Sequence, residues 1–147
     1  MSVTFASQEW ADSLAVQLRG DAQVRTESVT WIFGPIVVAI DADPEHGLEA
    51  TAIRIDVFEG DVQGVELIPA DSADRLPFVV GGSLARWKSV FAGQLAIGDG
   101  ILQSRLRVRG DLPTLTRHRA LLDAVARVGA SIETTWQDEL VDAATAG

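Results

Sequence analysis

A chain of 147 residues with 47% hydrophobic and 22% charged residues reads as one globular domain spanning 1–147. It has no cysteine, which excludes disulfides, thiolate metal sites and thiol nucleophiles together. Its formal net charge of −9 argues against phosphate backbones and against constitutive attachment to anionic membranes, so no nucleic-acid partner and no stable membrane insertion are expected. The longest apolar run, Ile36 to Ile40, is strand-sized and far below the roughly 20 residues that span a bilayer. Met1 to Phe5 lacks the features of a secretory signal, and a cytoplasmic location is the expectation.

In chain order, Ser7 is placed to cap a helix in which Trp10, Ala11, Leu14, Ala15 and Leu18 share one face, and Gly20 ends it. A β-rich stretch is expected from Thr26 to Ile68. Its first strand runs Ser28 to Phe33, breaks at Gly34-Pro35 and continues through Ile36 to Ile40. Asp41 to Gly47 is a turn. Strands follow at Glu49–Phe58, with Thr51, Ile53, Ile55 and Val57 on one face, and at Val62–Ile68, with Val65 and Leu67 alike. Ser83 is placed to cap a helix lined by Leu84, Trp87 and Phe91. The alternation of Leu102, Ser104, Leu106 and Val108 predicts a strand to Arg109. Asp111 then opens a long helix bearing Leu115, Leu121, Leu122, Val125 and Val128 and ending at Gly129. An amphipathic segment from Ser131 carries Trp136 and Leu140, and residues 143–147 are expected to fray. This order gives an α+β domain in which helices cover one face of the sheet.

Chemical motifs are weak. Arg105, Arg107 and Arg109 form a row on the predicted outer strand face, readable as a dock for phosphate, a lipid head group or CoA. A charge ladder with Asp56 or Glu66 is the favoured reading. Asp41, Asp43, Glu45 and His46 fall short of a hard-cation loop and read as a hairpin connection. His118 stands between Arg117 and Arg119 on the long helix, where it is expected to be partly exposed or at the edge of the core. No G-x-S-x-G elbow occurs, Gly81-Gly82-Ser83 reads as a loop into a capped helix, and Gly98-Asp99-Gly100 is too short for a phosphate fingerprint. No metal, cofactor or catalytic set is expected, and the chain reads as a non-enzyme.

The second half carries a family resemblance. Trp87-Lys88-Ser89-Val90-Phe91-Ala92-Gly93, followed by Ser104-Arg105-Leu106-Arg107-Val108-Arg109-Gly110-Asp111, resembles the sterol carrier protein (sterol-transfer, non-specific lipid-transfer) family. That family places a large apolar residue in a short helix ending at glycine, then a strand of the form G-x-L-x-V-x-G-D before a long helix. Ser104 replaces the first glycine; Leu106, Val108, Gly110 and Asp111 match. The resemblance covers roughly Thr4 to Gly129. It implies a sheet of about five strands, helices over one face, an apolar cavity between the layers, and non-catalytic binding of sterols, fatty acyl chains or acyl-CoA. The C-terminal Thr145-Ala146-Gly147 is not the peroxisomal tripeptide that some versions carry.

Cavity candidates follow from physics. The sheet face offers Ile53, Ile55, Val57, Val65, Leu67, Leu106 and Val108, and the opposing helices offer Leu84, Trp87, Phe91, Leu122 and Val125. Trp87, Phe91 and Trp136 are the rings best suited to wall or lid a cavity. Held apart, the layers would enclose a tunnel; closed, they form an ordinary core. The alternative function is therefore a non-catalytic structural or interaction domain with a collapsed core, possible as a homodimer.

Overall fold

The computed structural model describes residues 2–140, so the expected fraying of residues 143–147 lies outside the described residues. Helix α1 (Gln8–Arg19) starts where the sequence places it. The Ser7 hydroxyl accepts the Trp10 N–H at 3.1 Å, and Trp10, Ala11, Leu14, Ala15 and Leu18 are buried. A short helix, α2 (Ala22–Glu27), follows, capped by Asp21, whose carboxylate accepts the Val24 N–H at 3.0 Å.

The expected first strand is a correction. Thr26 and Glu27 are helical, and residues 28–35 form turns and a loop that belong to no strand. Only β2 (Ile36–Ile40) is extended, because Gly34-Pro35 interrupts the chain and Trp31 turns inward to pack as a core side chain.

The main sheet has the order β4-β3-β2-β5-β6, with β3 (Thr51–Phe58), β4 (Asp61–Pro69), β5 (Phe78–Gly82) and β6 (Arg107–Arg109). β2 and β5 run parallel, and the other pairs are antiparallel. Register sets Ile36 opposite Ile55 and Val38 opposite Ile53, then Ile53 opposite Leu67 and Ile55 opposite Val65. One face therefore buries Ile36, Val38, Ile53, Ile55, Val57, Val65, Phe78 and Val80 in the same core as the helices. On the other face Val37, Ala52 and Val79 pack with Ala73 of a 3₁₀ segment, Ala70–Arg75. That segment carries the chain from edge strand β4 to interior strand β5.

The edge of β4 is not left bare. Gln8 accepts the Leu67 N–H at 3.1 Å, and Arg19 donates to the Val62 and Gln63 carbonyls at 3.0 Å each. Side chains of α1 thereby occupy groups that a further strand would need.

After β5, Ser83 caps α3 (Leu84–Phe91) as expected, accepting the Arg86 N–H at 3.2 Å. The predicted strand Leu102–Arg109 is a second correction. Residues Ile97–Leu102 form helix α4, Ser104 adopts φ 58°, and only Arg107–Arg109 is strand. The Leu102/Leu106 alternation has no sheet behind it, and Leu102 is exposed. The long helix is two pieces, α5 (Leu112–Arg117) and α6 (Arg119–Ala130), meeting at His118. Gly110 precedes them at φ +129°, where its Cα backs onto the Pro77 carbonyl and any side chain would collide. Finally β7 (Thr134–Thr135) pairs in parallel with β1 (Val3–Thr4), and a helical turn begins at residue 137. Leu140, expected to pack, is exposed, while Trp136 is buried.

Candidate functional site

The candidate site is the apolar layer between sheet and helices. Ile53, Ile55, Val57, Val65, Leu84, Trp87, Phe91, Leu106, Leu122, Val125 and Trp136 are buried in one cluster, with Leu67 and Val108 half-buried against it. Periodicity thus brings together residues that share one environment. Leu106 arrives differently from expectation: it sits beyond α4, wedged between Gly82 and Gly100, whose added Cβ atoms would lie 2.8 and 2.7 Å from its methyls.

Rings fill most of the space. Trp10, Trp31 and Trp87 are fully buried, and each indole N–H is spoken for: Trp10 by the Thr134 hydroxyl at 3.0 Å, Trp31 by the Gly34 carbonyl at 2.8 Å, Trp87 by the Ala39 carbonyl at 2.9 Å. Trp87 stacks on Phe91 at 5.8 Å, Phe91 meets Trp10 at 5.1 Å, and Phe5 bridges Trp10 at 5.0 Å and Trp136 at 4.4 Å. Phe5, Trp10, Trp31 and Phe78 belong to this interior but do not appear among the sequence-based candidates. Their size is the available signal; the pattern assigns Trp10 to a helix face and Trp31 to a strand that does not form.

One buried polar group is incompletely partnered. The Gln137 amide nitrogen donates to the Phe5 carbonyl at 2.6 Å, which fixes the amide orientation. Its Oε1 is then buried with no hydrogen-bond partner among the described residues.

An apolar slit lies among three helices, between Gly98, Ile101 and Leu102 of α4, Leu115 and Thr116 of α5, and Arg119 and Leu122 of α6, and reaches the interior at Leu115 and Leu122. Its volume is about 10 Å³, no more than one water fills, so the slit is closed. Polar groups clasp one side: Arg119 pairs with Asp99 at 2.5 Å and Asp123 at 3.5 Å, and Asp123 accepts the Gly98 N–H at 3.2 Å. Helix α4 has only six residues and two glycines, each costing about 1 kcal/mol of helix propensity relative to alanine. It is held by packing and this clasp more than by its own sequence.

The arginine row does not exist as a row. Arg105 lies in the loop before β6 and has no ion pair among the described residues. Arg107 grips Asp41 with two nitrogens at 3.0 and 2.5 Å, and Arg109 pairs with Asp74 at 3.0 Å and donates to the Ala73 carbonyl. The partners differ from Asp56 and Glu66 because β6 pairs with β5, on the far side of β2 from β3 and β4. Asp56 instead meets Arg54 at 3.0 Å. The turn reading of 41–47 agrees with the structure: Pro44–His46 is a 3₁₀ turn, His46 bonds Asp43 at 2.8 Å, and Gly47 takes φ 69°. Among the described residues, no group of three His, Asp or Glu is placed to hold a metal ion. None of their helices is long and apolar enough to cross a membrane.

The fold is that of sterol carrier protein 2. A crystal structure of sterol carrier protein 2 superposes with a TM-score of 0.80 at 21% identity, covering 87% of this chain and 98% of that one. A solution structure from Thermus thermophilus, of a conserved hypothetical protein suggested to be a sterol carrier protein, also gives 0.80 at 20% identity over 92% and 94%. Sterol carrier protein domain 2 of Helicoverpa armigera gives 0.54 at 14% identity over 92% and 99%. No protein-family model and no curated protein sequence matches this chain.

Proposed function

We propose that this protein is a reversible, non-catalytic carrier of apolar ligands (a sterol, a fatty acyl chain or acyl-CoA) acting in the cytoplasm. The observation that supports the reading is a large apolar layer between sheet and helices in a sterol-carrier fold, bordered at the surface by a crevice beside the glycine-rich helix α4. In this reading the described conformation is the closed one. Ligand entry requires α4 to move off Leu115 and Leu122, and rings such as Phe91 and Trp136 to repack along the chain taken up.

Energetics are compatible with exchange. A chain of about 14 methylenes gains on the order of 11 kcal/mol gross from burial, against an association cost of roughly 4–15 kcal/mol. The balance allows weak binding, as a carrier requires. Gln137 Oε1 offers an acceptor for a ligand hydroxyl inside the aromatic group.

The closed layer also favours a second reading, a domain of the same fold whose core is permanently collapsed and which serves as an interaction module. Titration with cis-parinaric acid, followed by energy transfer from the buried tryptophans, separates the two. Saturable transfer at one site per chain is expected of the carrier, and absence of binding for both this acid and a fluorescent sterol would leave the collapsed-core reading.

A further inference from the structure

The segment that follows α6 leaves one hydrogen-bonding group unused. β7 lies beside β1, the Trp136 ring packs 4.4 Å from Phe5, and Lys88 on α3 ties down the next turn through Asp138 at 2.9 Å and Glu139 at 3.4 Å. Between these anchors Gln137 is only 8% exposed. Its amide nitrogen is spent on the Phe5 carbonyl. Its Oε1 is the one buried side-chain nitrogen or oxygen without a partner among the described residues.

Neighbouring donors are already committed. The Thr134 hydroxyl donates to the Ile132 carbonyl at 2.9 Å and receives the Trp10 indole N–H. The Trp136 backbone N–H goes to Glu139 at 3.2 Å, and the Lys88 ammonium to Asp138 and Glu139. The Ser2 and Thr135 hydroxyls pair with each other at 2.5 Å. None of these groups satisfies the Gln137 oxygen, and burying an acceptor without a donor leaves its desolvation uncompensated.

The chemistry of that atom selects its partner. An amide oxygen accepts and cannot donate. A carboxylate, an ester or an ether also offers only acceptors and would gain nothing from it. A water needs two to four polar partners, whereas Phe5 and Trp136 beside Gln137 present mainly ring surface. An alcohol carries its donor on an apolar body, so its hydroxyl meets the oxygen while its hydrocarbon meets the rings.

We infer that Gln137 is a specificity-determining residue of the apolar layer, its Oε1 accepting the hydroxyl of a neutral, water-insoluble alcohol. This rests on the carrier reading and narrows its preferred ligand class; an acyl chain still binds through its hydrocarbon, without this bond. The test is displacement of cis-parinaric acid from the intact protein by 1-hexadecanol and by its methyl ether, which share a chain and differ in the donor. The alcohol should displace the probe at the lower concentration. Gln137→Leu should reduce that advantage about tenfold, the effect of one hydrogen bond to a buried acceptor, and leave displacement by the ether unchanged. Thermal melts verify folding, and Gln137→Met replaces the leucine variant if that one unfolds.

Equal displacement by alcohol and ether in the wild type overturns the inference and makes an ordered water the partner of Oε1. An alcohol advantage that the folded variant keeps overturns it as well. So does an equal loss of both compounds in the variant, which would make Gln137 a structural residue only. Probe binding without alcohol preference overturns hydroxyl selection alone, and absence of probe binding to the wild type removes the carrier reading on which it depends.

Discussion

Leu122 connects the interior to the closed slit, and replacing it with alanine tests whether the slit is a gate. The side chain is buried on α6 and lines the opening opposite α4. Removing its outer carbons from a packed site costs about 2–5 kcal/mol, through lost transfer energy and the void left behind. For a chain of this length that lowers the melting temperature by roughly 5–15 °C. The same change widens an apolar passage, so a carrier should recover part of the loss on binding. At a ligand concentration 100 times its dissociation constant, the recovery is about 2.7 kcal/mol. Leu121→Ala is the matched control: Leu121 is fully buried one residue earlier and does not line the slit. Urea unfolding of both variants with and without cis-parinaric acid should show comparable destabilisation, with a larger rescue for Leu122→Ala. Equal rescue at both positions, or none, would refute the gate.

Gly129→Ala gains about 1 kcal/mol of helix propensity, but its methyl would lie 2.6 Å from the Phe91 ring, which is wedged among Phe5, Trp10 and Trp87. Overpacking of about 1–3 kcal/mol should win, and a net stabilisation in urea melts would contradict the packing described. Asp21 is held below its ordinary 3.8 by hydrogen bonding to Arg127 and to the Val24 N–H. A depressed carboxylate contributes stability that is present above its unfolded value and lost as pH falls through its lower folded value. Asp21→Asn keeps a cap but loses the ion pair, so it should cost about 0.5 kcal/mol at neutral pH and progressively less as the wild type protonates below 3.8. A difference that grows in acid would reverse the assignment. Arg107→Ala removes a mostly exposed pair with Asp41 and should change stability by less than about 1 kcal/mol, leaving acyl-CoA binding unchanged relative to fatty acid. A selective loss of acyl-CoA affinity would restore the head-group role for that strand.

The sequence was legible where local pattern and tertiary burial agree. Ile53, Ile55 and Val57 alternate because β3 has the α-helices on one side and only a short 3₁₀ segment, over Ala52, on the other, and α1 shows Ser7, a complete apolar face and Gly20 in order. The misread stretches share a cause. In 28–33 the apolar residues alternate as in a strand, but Trp31 is a single inward anchor and its neighbours face outward. Helix α2 buries only Val24 and so shows no period. Helix α4 contains two glycines, which propensity assigns to a loop; it forms because Gly98 and Gly100 let it seat against Arg119 and Leu106. Strand β5 hides its role for a related reason, since Gly81-Gly82 resembles a linker while its place beside β2 is set by a non-local parallel pairing. Of the apolar layer, Ile53, Ile55, Val57, Leu84, Trp87 and Leu122 were readable from periodicity, whereas Phe5, Trp31 and Phe78, which follow no period of their own, were not. Whether that layer is open depends on a few ångströms of helix position, which periodicity does not encode.

The most direct test of the carrier account is native mass spectrometry of the freshly purified protein, followed by organic extraction and reloading with a fatty acid and a sterol. The account predicts a lipid adduct on the intact chain, or a one-to-one adduct after reloading. A bare chain that takes up neither compound would contradict it.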